Sequence, residues 1–125
     1  MGEKISYHTD LEVFQIAFDA AMQIFEVTKS FPKEKIYSHT DQIRRSSRSA
    51  CANISEAWRR RRYRAAFINC LNLAEAEAAE TQVWLSFCMT CNYLTDCQAG
   101  SLSQMYDHVL GIIVTMIKNP GKWIL

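Results

Sequence analysis

Residues Tyr63 to Cys91 read YRAAFINCLNLAEAEAAETQVWLSFCMTC, and this stretch decides the fold. Phe67, Leu71, Ala74, Ala78, Thr81, Leu85 and Cys88 recur at alternating steps of four and three. An α-helix turns once every 3.6 residues, so side chains spaced this way share one face, and the pattern marks a long helix packed on other helices. A flanking line runs beside the first: Tyr63, Ala66, Cys70, Leu73, Glu77, Glu80, Trp84, Phe87 and Cys91. Two carboxylates interrupt an otherwise apolar row.

Working outward from this helix, over 63–91, the same period appears three more times. Towards the N-terminus, Thr9-Asp10-Leu11-Glu12 has the spacing of a capping box and opens a helix over about 10–30. Its expected core stripe is Leu11, Phe14, Phe18, Ala21, Phe25 and Thr28. A second line of Val13, Ala17, Ala20, Ile24 and Val27 lies beside it, an apolar arc wide enough for more than one neighbour. Phe31-Pro32 ends that helix, because proline disfavours helical geometry in the residue before it. Lys33-Glu34-Lys35 makes a short turn, and Ser38-His39-Thr40-Asp41 caps a helix over about 39–61. Towards the C-terminus, Thr95-Asp96-Cys97-Gln98 is a further capping box, opening a helix over about 96–118. It buries Leu102, Met105 or Tyr106, Val109, Ile112 and Met116, and Asn119-Pro120-Gly121 ends it. Short links make neighbouring helices antiparallel, so the expectation is an all-α, up-down-up-down four-helix bundle in one domain, 1–125. The apolar tail 119–125, with Trp123-Ile124-Leu125, is expected outside the bundle and available to another subunit.

The helix over 39–61 divides into three sectors at 100° per residue. Ile43, Ala50, Ile54, Ala57 and Trp58 point one way, with Ser47 and Cys51 among them. Gln42, Ser46, Ser49, Asn53 and Glu56 form a small-polar line, expected to pack against something. Arg44, Arg45, Arg48 and Arg59 cover the third sector.

All eight arginines of the chain fall between Arg44 and Arg64, with Glu56 alone to offset them within Gln42–Arg64. That segment carries +7, so the other residues carry −6 to reach the formal charge of +1. The chain is a dipole rather than a basic protein, which argues against generic coating of nucleic acid and confines any such binding to the arginines. Guanidinium suits bidentate contact with phosphate or carboxylate. Glu77 and Glu80, on a partly buried line, need cationic partners, and Arg45 and Arg48 are the nearest supply. Gln42, Arg45, Asn53, Glu56, Glu77 and Glu80 are therefore the expected structural polar network. Arg59, Arg60, Arg61 and Arg62 point around the whole helix and cannot all meet internal carboxylates. Arg44, Arg48, Arg59, Arg60, Arg61, Arg62 and Arg64 are the candidate nucleic-acid contacts.

Other chemistries find little support. Cys88-Met89-Thr90-Cys91 has redox or zinc spacing, but no second cysteine pair or nearby histidine completes a tetrahedral site. His8, His39 and His108 have no serine or cysteine partner at motif spacing, and bundle di-metal sites need Glu-x-x-His motifs that the chain lacks. No catalytic residue, metal or cofactor is expected. Five cysteines, odd in number and mostly on apolar lines, fit reduced thiols. No basic leader with an apolar stretch opens the chain, and no apolar run approaches the roughly 20 residues of a membrane span. The expected location is the cytoplasm, with no membrane partner.

A family resemblance adds to this reading. The chain resembles the bacterial four-helix-bundle family that includes proteins encoded in intervening sequences of the large-subunit ribosomal RNA gene. The resemblance spans nearly the whole chain. It is carried by Leu11 to Phe14, Phe31-Pro32-Lys33-Glu34, Asp41 to Ser49 (DQIRRSSRS), Asn53-Ile54-Ser55-Glu56, and Phe67 with Glu80-Thr81. Ala57 stands where the family usually has glycine. The resemblance implies an antiparallel bundle assembled as a ring-like homopentamer. It also links the chain to the accessory protein of diversity-generating retroelements, a cationic pentameric barrel that binds nucleic acid and a reverse transcriptase. Surplus apolar lines on two helices point to a homo-oligomer independently.

The expected function is that of a non-enzymatic oligomeric bundle that binds RNA or DNA phosphates through its arginines. The alternative is a scaffold for a partner protein, with arginines in structural salt bridges, Arg44 and Arg48 meeting acidic side chains and Trp123 as an anchor.

Overall fold

The computed structural model describes residues 4–35 and 39–125, and among them the chain forms four α-helices and no strand. These are α1 (Glu12–Thr28), α2 (Asp41–Arg59), α3 (Arg64–Thr90) and α4 (Asp96–Lys118), with short 3-10 turns at His8–Asp10, Lys33–Lys35 and Pro120–Lys122. Helix α2 packs on α1 and α3, and α4 packs on α3 and α1, so the four close around one core.

The seam of α3 is buried along its whole length, from Phe67 to Cys88, with Cys70 added from the flanking line. On α2, Ile43, Ser47, Ala50, Cys51, Ile54, Ala57 and Trp58 are all buried. Ala57, in the position that glycine usually occupies in the family, sits in the core with its methyl accommodated. The small-polar line of α2 packs on α3 at one point. Ser46 is fully buried, and its hydroxyl is 2.8 Å from that of Thr81. Toward the C-terminal end of α2 the line surfaces, and Glu56 is exposed.

Helix α1 reverses the expected assignment. Leu11 and Thr28 are buried, but the core line between them is Val13, Ala17, Ala20 and Ile24, while Phe14 and Phe25 are half-buried and Phe18 is 52% exposed. Helix axes approach to 8–10 Å depending on the side chains between them, and small Ala17 and Ala20 permit the close approach that phenylalanine would block. The larger rings are left on the outer flank.

The helix ends differ in how they are capped. Thr9 does not cap α1. A 3-10 turn precedes the helix instead, and the Asp10 carboxylate accepts from the Ser6 and Tyr7 amides at 3.0 Å each. Ser38 lies outside the described residues, and Thr40 makes no side-chain cap to α2. The box at α4 does form, with Gln98 N–H donating to Thr95 Oγ1 and Thr95 N–H to Gln98 Oε1, both at 3.0 Å. Within α4, Tyr106 rather than Met105 is fully buried, and Ile113 takes the core position expected for Ile112.

The tail is not free. Trp123 and Ile124 are half-buried against the core, and the Leu125 amide donates to the Arg61 carbonyl oxygen at 3.0 Å. Among the described residues no helix is long and apolar enough to cross a membrane.

Candidate functional site

The arginines, close in sequence, separate into three environments. Arg45 leaves the outer side of α2 to reach α3, where it pairs with Glu77 at 3.0 Å and with Glu80. Glu80 also accepts from Trp84 Nε1 at 3.2 Å. Desolvation opposes the charge on Arg45, but the two carboxylates outweigh it and hold its pKa above the ordinary value. Asn53 does not join this group. Its amide donates to the Ser49 carbonyl at 2.9 Å, and Glu56 lies near Arg60 at 3.5 Å. Gln42 is half-buried at the start of the same line.

Arg44 and Arg48 face α1. Arg44 Nε donates to Thr28 Oγ1 at 2.8 Å, and its guanidinium lies 4.8 Å from the Phe25 ring centroid. Arg48 is exposed, with its guanidinium 5.8 Å from the same centroid. Expected to join the Glu77 and Glu80 network, Arg48 instead rims a groove of about 440 Å³ between α1 and α2. Phe14, Phe18, Met22 and Phe25 line one side of that groove, with Ala52 and Ser55 on the other.

The remaining arginines occupy the corner where α2 turns into α3. The link is tight: the Arg60 amide donates to the Glu56 and Ala57 carbonyls, and the Tyr63 amide to the Arg60 carbonyl at 3.0 Å. Arg61 turns inward and is half-buried. Its guanidinium stacks 3.4 Å from the Trp58 ring centroid, and Nε donates to the Trp58 carbonyl at 2.8 Å. Burial, then the neighbouring charge of Arg59, lowers its pKa from the ordinary value. Arg59, Arg60, Arg62 and Arg64 all face solvent, and Tyr63, in their midst, is 65% exposed. Among the described residues, Arg60 has a carboxylate within salt-bridge distance, its own-helix neighbour Glu56, whereas Arg59, Arg62 and Arg64 have none.

The α3 N-terminus at this corner has no side-chain cap and no acidic residue in its first turn. Its free amides and helix dipole add positive potential beside Arg64. The corner is thus four exposed guanidiniums, an exposed phenol and an uncapped helix start. Exposed Arg48 and Arg59 are 11 positions apart, so at 1.5 Å per residue the α1-facing arginines and the corner lie about 16 Å apart along α2 at their nearest. The structure does not bring the seven candidate arginines into one patch.

Sequence reasoning missed two features. The flank of Phe14, Phe18, Met22 and Phe25 carries the hydrophobic signal of a core, and the only sign against it is that α1 has two apolar lines. The docking of the tail at Arg61 rests on a backbone bond between distant residues and left no signal. Of the thiols, Cys51, Cys70 and Cys88 are buried, and Cys91 and Cys97 are exposed.

The model of the 23S rRNA-intervening sequence protein family matches residues 9–115, from the turn before α1 to the last turn of α4. The chain belongs to that family. A crystal structure of a protein of unknown function, from the S23 ribosomal protein family of Bacteroides thetaiotaomicron VPI-5482, is similar to it. The TM-score is 0.77 and the identity 33%, over 85% of this chain and 98% of that one. Among curated proteins no relative matches. The span shared with the 23S rRNA-intervening sequence protein family includes the arginine corner, the Arg45 pairs and the α1–α2 groove.

Proposed function

We propose that this protein is a non-enzymatic homo-oligomeric bundle that binds RNA or DNA phosphates at the α2–α3 corner. The observation that carries the reading is the exposure of Arg59, Arg60, Arg62 and Arg64 around exposed Tyr63, while Arg45 and Arg61 are held by the fold. Phosphate oxygens fit guanidinium forks, and a phenol ring offers a stacking face to an unpaired base. A cation at an uncapped helix start opposes the dipole, and a bound phosphate relieves that opposition.

The helices are taken to run up-down-up-down. In support, Phe31, just past α1, packs on Tyr93 between α3 and α4 with centroids 5.5 Å apart. At the other end, Leu125, just past α4, bonds to Arg61 between α2 and α3. Oligomerisation, to a ring of five on the family resemblance, is supported by exposed Phe18, Met22, Leu73, Val83 and Phe87, apolar surface beyond what a monomer needs. Repetition around a ring makes weak corners act together, because after one engages the next event is intramolecular. A cytoplasmic location fits an intracellular nucleic acid as the ligand.

The test is fluorescence anisotropy of nuclease-treated protein with labelled structured RNA, single-stranded DNA and duplex DNA across a salt series. Micromolar or tighter binding that weakens steeply with salt is expected, and the ranking names the nucleic acid. No binding at low salt overturns the reading and leaves a partner protein as the ligand class.

A further inference from the structure

Two helical lines on this chain leave apolar surface exposed to solvent, and they have matching form. On α1, Phe14, Phe18, Met22 and Phe25 recur at steps of four, four and three along the α1–α2 groove. On α3, Leu73, Ala76, Glu80, Val83 and Phe87 alternate three and four. Leu73, Val83 and Phe87 are about half exposed, at 47%, 53% and 51%, and Ala76 is exposed beside them. Each line has the repeat of a helix seam that a second helix covers knobs-into-holes. Each covers about three to four turns, so the two are comparable in length.

The charges match as well. Arg48 rims the α1 groove and, among the described residues, meets no carboxylate. Glu80 interrupts the α3 line and is half-buried beside Glu77. Among the described residues Arg45 is the one cation paired with these two carboxylates, so one guanidinium meets two negative charges. The two lines lie on different helices, and the surplus cation of one answers the surplus anion of the other.

We propose that the α1 groove of one protomer receives the α3 line of the next, with the row from Phe14 to Phe25 packing along the row from Leu73 to Phe87, and Arg48 approaching Glu80. The inference rests on the oligomeric reading above and adds which faces meet. Because the faces are unlike, the contact is head-to-tail, and head-to-tail contacts close into rings or run on as filaments. A pair of self-complementary faces would instead give closed dimers.

The distinction can be read by mixing two variants. Phe18→Asp spoils only the α1 face and Val83→Asp only the α3 face; both positions are exposed, and circular dichroism checks that each variant stays helical. Light scattering on the wild type is expected to give an oligomer, and each variant alone a monomer, since every contact needs both faces. Mixed one to one, the variants retain one good pair of faces and are expected to form a dimer and nothing larger. Met22→Asp with Leu73→Asp should repeat the result. Dimers of either variant alone would overturn the proposal in favour of like faces pairing. Variants that keep the wild-type mass would show that other surfaces assemble the oligomer, and variants that stay monomeric when mixed would show that these two faces do not meet each other. A monomeric wild type would overturn the oligomeric reading itself.

Discussion

The Arg61 guanidinium stacks 3.4 Å from the Trp58 ring centroid and bonds to the Trp58 carbonyl, in the middle of a run of arginines that otherwise faces solvent. This contact separates a structural arginine from its neighbours. Trp58 is buried, so Arg61 covers its ring and satisfies a carbonyl at the α2 C-terminus. Arg61→Ala is expected to cost about 1–2 kcal/mol, read as a lower urea midpoint. Arg62→Ala should leave that midpoint within about 0.5 kcal/mol of the wild type, as exposed substitutions usually do. Equal losses for the two would contradict the distinction.

Arg45 ties α2 to α3 through Glu77 and Glu80, with its own side chain half exposed. Solvent weakens such a pair, but two carboxylates at once and the Trp84 bond to Glu80 place it above an isolated surface pair. Arg45→Ala is expected to destabilise by about 1 kcal/mol. A double-mutant cycle with Glu77→Gln should return a coupling of about 0.5 kcal/mol or more, and additive losses would show the pair to be inert.

Burial pushes the Cys51 thiol up to about 11, and burial with the nearby Cys91 pushes Cys88 to about 11. Cys70 is raised mainly by burial. Thiolate is the reactive form, so these three thiols should resist an aromatic disulfide reagent at pH 8 in the native protein. Cys91 and Cys97 are exposed and should react. The expected titration is two thiols native and all five in denaturant. Rapid native reaction of a third would show that the core opens on that timescale.

Asp10 accepts from the Ser6 amide and then the Tyr7 amide, which holds its carboxyl below the ordinary value. A carboxylate whose folded pKa is depressed stabilises the fold above its unfolded pKa, about 3.9, and loses that stabilisation as pH falls through the lower folded value. Asp10→Asn should therefore be less stable than the wild type at pH 6, and the gap should narrow below about pH 4. Urea midpoints across that range check it. A gap independent of pH would mean that the carboxylate charge is not what anchors the turn.

Much of this architecture was legible in the sequence, and the failures have physical causes. The α3 seam could be read because Ala74, Ala78 and Thr81 alternate with Leu71 and Leu85 on an unbroken face, whereas the flanking line is interrupted by Glu77 and Glu80. Helix α1 offers two lines, and the bulkier one has the stronger hydrophobic signal. Size favours Phe14 and Phe18, whereas close packing favours Ala17 and Ala20, a preference set by neighbours that the α1 sequence does not contain. The link from Arg45 to Glu77 and Glu80 was visible as unmatched charge on two helices. Arg44 on Thr28, Arg61 on Trp58 and Leu125 on Arg61 were not, because each depends on how the chain turns between elements. The arginine run was legible as a charge, but not as three separate environments.

The most direct test of the central claim compares salt dependence between variants of the two arginine groups. Logarithms of nucleic-acid affinity against log salt should give a steep negative slope for the wild type. Arg60→Ala with Arg62→Ala should weaken binding to all sequences alike and flatten the slope by roughly 1.4–1.8, at about 0.7–0.9 for each phosphate no longer neutralised. Arg44→Ala, on the α1 side of α2, should leave the slope unchanged within error. A slope that Arg60→Ala with Arg62→Ala leaves untouched, while Arg44→Ala flattens it, would contradict binding at the α2–α3 corner.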